Sequence, residues 1–128
     1  MAYAEKTKVP VSKSKADIEN LVKKYGANGW GIMEFNGRVQ IAFQLAGRNL
    51  LFRVAIPEKD QAQRSMYRAL LLVIKGKLES AESGIETLEE AFMANIVMPG
   101  GETVADSILP SIAKAYESGR DIPLLPGH

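Results

Sequence analysis

The sequence predicts an α+β fold: one N-terminal helix, a three-stranded antiparallel meander, then three helices, with a central buried helix packed on the sheet. Three observations predict it. Within residues 58–84 and just beyond, Tyr67, Leu71, Ile74, Leu78, Ala81 and Ile85 recur at alternating spacings of 4 and 3, which aligns them on one helical stripe. Asn36-Gly37 and Gly47-Arg48 interrupt a stretch of alternating apolar and polar residues, as hairpin turns do. Thr87 with Glu90 and Thr103 with Asp106 have the spacing of capping boxes, each opening a further helix.

In chain order, residues 1–12 are lysine-bearing and broken by Pro10, and are expected to form a flexible basic arm ahead of a single domain over 13–120. Ser14 and Asp17 are placed to cap the first helix. Ile18, Leu21, Val22 and Tyr25 then form its buried stripe, and Gly26 ends it after Lys23 and Lys24.

A two-residue turn at Asn36-Gly37 sets Trp30 opposite Phe43, Ile32 opposite Ile41 and Glu34 opposite Val39. A turn at Gly47-Arg48 sets Leu45 opposite Leu50, Phe43 opposite Phe52, Ile41 opposite Val54 and Val39 opposite Ile56. Both turns put the same apolar residues on one face. The other face is mixed, with Arg38, Gln40, Gln44, Asn49 and Arg53 beside Met33, Phe35 and Leu51.

Pro57 ends the third strand. The central helix has a second apolar stripe, Met66, Leu70 and Val73, and so should be buried between two layers, ending at Gly84. Leu88, Ala91, Phe92, Ile96 and Val97 are the apolar side of the next helix, and Pro99-Gly100-Gly101 breaks the chain. Val104, Ile108, Ile112 and Tyr116 belong to the last helix, which Pro110 should kink or divide. Residues 121–128 read as an extended tail.

At 128 residues and 46% hydrophobic content, one core can be buried without staples. There are no cysteines and a single histidine, His128, which removes thiol nucleophiles, Ser-His arrangements and metal sites built on thiolate or imidazole. No phosphate-binding glycine loop is present; GANGWG reads as a helix stop followed by a strand start. Glu79, Glu82, Glu86, Glu89 and Glu90 cluster about one helix junction, where helix-terminal and solvated roles compete with a weak divalent-cation site. No enzyme activity, metal or cofactor is expected. No apolar run is long enough to span a bilayer and no secretory h-region is present, so a cytoplasmic, membrane-free location is expected.

Charge is unevenly distributed. Residues 1–77 hold 14 Lys+Arg against 6 Asp+Glu, a balance of +8, and residues 78–128 hold 2 against 9, a balance of −7. A basic half can bind polyanions, or the two halves can attract each other. Single-strand binders combine such a surface with aromatic groups on which bases stack. The matching residues are Lys13, Lys15, Lys23 and Lys24 for phosphates, with Phe35, Arg38, Gln40 and Arg53 on the mixed sheet face.

The block RALLLVIKGKLESAESGIETLEEAF, with ADIENLVKKYGA before it, resembles small uncharacterised proteins encoded in bacteriophage and prophage genomes, over about residues 12–125. The resemblance implies a phage-factor context and carries no residue roles. The expected function is a non-enzymatic nucleic-acid-binding accessory protein. The alternative is a protein-binding inhibitor or adaptor of the anti-defence type, using the same sheet face on a host or phage protein. Exposed Phe35, Met33 and Leu51 and the oppositely charged halves point to a homo-oligomer.

Overall fold

The computed structural model describes residues 6–120, and the expectations for residues 1–5, for the 121–128 tail and for His128 lie outside them. The chain runs α1 (Val11–Lys24), β1 (Asn28–Phe35), β2 (Arg38–Leu45), β3 (Arg48–Ala55), α2 (Asp60–Glu82), α3 (Leu88–Phe92), a 3₁₀ turn (Met93–Asn95) and α4 (Val104–Ser118). The α+β class is as the sequence predicts. The sheet order is β1-β2-β3, antiparallel throughout. Ile18 and Val22 of α1 and Tyr67, Leu71, Ile74 and Leu78 of α2 share one core with Val39, Ile41, Phe43, Leu50 and Phe52. Both helices therefore cover the same sheet face.

The first hairpin has the expected register, Trp30 with Phe43, Ile32 with Ile41 and Glu34 with Val39, around Asn36 and Gly37 at φ of 50° and 70°. The second does not. Its turn is Ala46-Gly47, both at positive φ, and its pairs are Leu45 with Arg48, Phe43 with Leu50, Ile41 with Phe52 and Val39 with Val54. The reason lies in β2, which serves two neighbours with alternate residues. A two-residue turn is closed by a hydrogen-bonded pair, so the first hairpin commits the backbone groups of Arg38, Gln40 and Ala42 to β1. A turn at Gly47-Arg48 would demand the same groups for β3. Closing at Leu45 uses the odd-numbered residues instead. The register moves by two, and no side chain changes face. Ala46 accepts left-handed backbone as a result, at φ 50°. Ala46→Asn should raise stability by about 0.5–1 kcal/mol, since the αL penalty falls on an exposed residue with no other role. Urea denaturation with no gain would remove strain from this turn.

Other boundaries move as well. The first helix starts at Val11 behind Pro10, taking Val11 and Ser12 out of the expected arm. Ser14 is not a cap but is fully buried inside the helix, where its hydroxyl has no partner among the described residues, and Asp17 faces Arg68. Both capping boxes form with both reciprocal bonds. However, α3 ends at Phe92. Ile96 and Val97 are not helical: Ile96 bridges to Leu50 and Val97 to Thr103, and the Val97 N–H donates to the Asn49 carbonyl. The open edge of β3 takes the Val97 amide, while the Ile96 N–H closes the 3₁₀ turn on the Met93 carbonyl. Pro110 lies within an uninterrupted α4. Gly84, at φ 81°, ends α2's last turn and turns Ile85 out to solvent, off the predicted stripe.

Candidate functional site

The eight residues singled out from sequence do not form one surface. Phe35, Arg38, Gln40 and Arg53 do share the open sheet face, as register partners Phe35 with Arg38 and Gln40 with Arg53. Lys13, Lys15, Lys23 and Lys24 belong to α1, in the helical layer that covers the opposite face.

Most of these cations already have an anion. Lys13 reaches Asp17 at 3.2 Å, Lys23 pairs with Glu19 four residues back, and Lys15 pairs with Glu34 while lying over the Tyr67 ring. Arg53 donates to both carboxylate oxygens of Asp106 at the start of α4, and Arg48 reaches Glu89 at 3.0 Å. The basic N-terminal half and acidic C-terminal half thus attract each other within one chain. Lys24 and Arg38 form no ion pair among the described residues. The carboxyl of Asp106 is held below its ordinary range by Arg53, and that of Glu34 by the Lys15 ammonium and then the Tyr67 hydroxyl, which donates to it. Burial, and then Glu34, pushes the Tyr67 hydroxyl far up.

The helix-junction glutamates are dispersed among structural tasks. Glu86 accepts from the Ser80 hydroxyl, Glu89 pairs with Arg48, and Glu90 completes the Thr87 cap, whose backbone bond lowers its carboxyl. Among the described residues no three His, Cys, Asp or Glu side chains converge to hold a metal ion. No helix there is long and apolar enough to cross a membrane.

A feature that sequence periodicity misjudged lies on α2. Only Tyr67, Leu70, Leu71, Ile74 and Leu78 of α2 are buried, and Val73 is 43% exposed. The expected second layer is incomplete because α4, apolar on the matching side, has no buried residue. Between α2, α3 and α4 lies a groove of about 630 Å³. Gly76 contributes bare backbone, Ala91, Ala94 and Ala105 small side chains, and Val73, Met93, Ile108, Leu109 and Ile112 large apolar ones. Leu109 is 61% exposed. Glu86 and Glu90 line it too, while the Lys77 ammonium bonds the Ala91 carbonyl at 2.9 Å. The signal in the sequence was the matching pair of stripes, Met66-Leu70-Val73 and Val104-Ile108-Ile112, which only contact could distinguish from a buried seam.

Gly76 sits in this groove, mid-helix. A Cβ there would meet no atom within 4 Å, so nothing within the described chain requires glycine. No family model, curated protein or solved structure matches the chain.

Proposed function

We propose that this is a non-catalytic protein-binding module whose groove between α2 and α4 receives the apolar face of a helix with basic flanks. The observation that carries the reading is Gly76: a glycine in a helix interior costs about 1 kcal/mol against alanine. With no neighbour among the described residues to exclude a methyl group, close approach of a partner's backbone supplies the reason for it. Small floor residues and apolar walls suit helix-in-groove recognition. The carboxylates of Glu86 and Glu90 favour lysine or arginine beside the apolar contacts. This is the adaptor or inhibitor alternative, moved from the sheet face to the helices. The phage-factor resemblance suits a small protein that acts by occupying another.

The test uses a fluorescein-labelled synthetic helix with a leucine stripe and lysine flanks. Anisotropy should report saturable binding in roughly the micromolar range, weakened about tenfold or more by Leu109→Glu. Gly76→Ala should stabilise the fold by about 0.5–1 kcal/mol while lowering that affinity. Absence of saturable binding, or binding that neither substitution alters, would sink the reading.

A second reading keeps the nucleic-acid expectation on one observation: Phe35 and Arg38 are paired neighbours on the open face, and Arg38 lacks a carboxylate partner among the described residues. A base could stack on Phe35 with its phosphate on Arg38. A gel shift of single-stranded DNA at low salt, abolished by Phe35→Ala, would put this reading ahead of the groove.

A further inference from the structure

We propose that the free edge of β1 pairs with the β1 of a second copy, giving a two-fold dimer with one continuous six-stranded sheet. This does not rest on the groove. The two sheet edges are treated differently. On β3 the Asn49 carbonyl accepts from the Val97 N–H and the Leu51 carbonyl from the Asn95 side-chain amide, so that edge is capped. On β1, the turn at Asn36-Gly37 directs the backbone groups of Phe35, Met33 and Gly31 to β2 and those of Glu34, Ile32 and Trp30 outward. Among the described residues no group bonds those outward N–H and carbonyl groups. From Trp30 to Phe35 the edge carries no proline, no lysine and no bulge; its one charge, Glu34, already has the Lys15 ammonium as partner, and its one irregularity lies before Trp30.

The strand is complementary to itself. Centring the two-fold on Ile32 pairs Ile32 with its copy and Trp30 with Glu34 of the second molecule. Every outward donor and acceptor on Trp30, Ile32 and Glu34 is then used, because these become the hydrogen-bonded pairs. The alternate pairs bring Met33 against Gly31 of the second copy, a large side chain over a residue with none. Met33 is 57% exposed, and a Cβ on Gly31 meets nothing within 4 Å in one copy. No like charges meet across the axis: each Glu34 faces a Trp30 and is neutralised by its own Lys15. Trp30 and Ile32, core-facing yet only half-buried, gain cover from the second molecule. Five paired residues a side fall short of the roughly 800 Å² per partner of a standard interface, so the dimer should dissociate in the micromolar range.

Sedimentation of the full chain should shift from 14.0 kDa towards twice that mass between low and high micromolar concentration. Met33→Lys should abolish the shift without unfolding the protein. The register is read by single cysteines, since the chain has none. Gly31→Cys mixed with Met33→Cys should cross-link under oxidation, because the two meet across a close non-hydrogen-bonded pair, whereas either variant alone should not. A monomer at several hundred micromolar overturns the proposal. So does a dimer lost in Leu109→Glu but kept in Met33→Lys, or cross-linking of one variant with itself as readily as in the mixture.

Discussion

Phe92→Ala will lower stability by about 3–5 kcal/mol in urea denaturation, the range for truncating a fully buried phenylalanine. Phe92 has no exposed surface. Its ring meets Phe43 and Phe52 edge-on, with centroids 6.3 and 6.2 Å away, and those two rings stack 6.2 Å apart. Truncation therefore leaves a void where the short helix α3 joins the sheet and removes two favourable edge-to-face contacts. Phe43→Ala and Phe52→Ala should fall in the same range, and pairs among the three should be non-additive because they share one cavity. A loss below about 1 kcal/mol for Phe92→Ala would falsify this junction, since an exposed ring loses little on truncation. A protein with 5–15 kcal/mol of stability has little left after such a loss. The variant should therefore also lose the groove, one wall of which α3 supports.

Asp17→Ala should cost about 1.5–3 kcal/mol at neutral pH, the worth of a hydrogen bond to a charged group. Arg68 is only 14% exposed, and its Nη2 reaches Asp17 at 3.0 Å across the α1–α2 seam. Its Nε lacks a partner among the described residues. Removing the carboxylate leaves a nearly enclosed guanidinium uncompensated, which is costlier than the pair is stabilising. Arg68→Met added to Asp17→Ala should recover part of the loss, as replacing both partners avoids the orphaned charge. The acid limb gives an independent check. The Arg68 hydrogen bond holds Asp17 below its ordinary 3.8. A carboxyl depressed in the folded state contributes stability above the unfolded value and loses it as pH falls through the folded one. The deficit of Asp17→Ala should thus be constant above about pH 5 and shrink below 3.8. A deficit that persists undiminished at the acid end would mean that lost packing, not charge, is its source.

Local signals determined much of this protein. Asn36-Gly37 set the first register, the two Thr-x-x-acid boxes set the starts of α3 and α4, and strand alternation assigned the apolar residues from Trp30 to Val54 to the core face. Each of these is chemistry among residues close together in the chain. The tertiary structure decided the rest. Neither hairpin alone reveals that β2 must divide its hydrogen bonds between two neighbours, so the second turn fell to Ala46-Gly47. Ile96 and Val97 read as helical until the β3 edge claimed their segment. The lysines of α1 and the arginines of the sheet were assigned to one polyanion surface, yet they lie on opposite layers, with Asp17, Glu19, Glu34 and Asp106 as partners. Periodicity records that a stripe is apolar, but burial is a property of what stands opposite. For Val73, Leu109 and Ile112 that position is a groove.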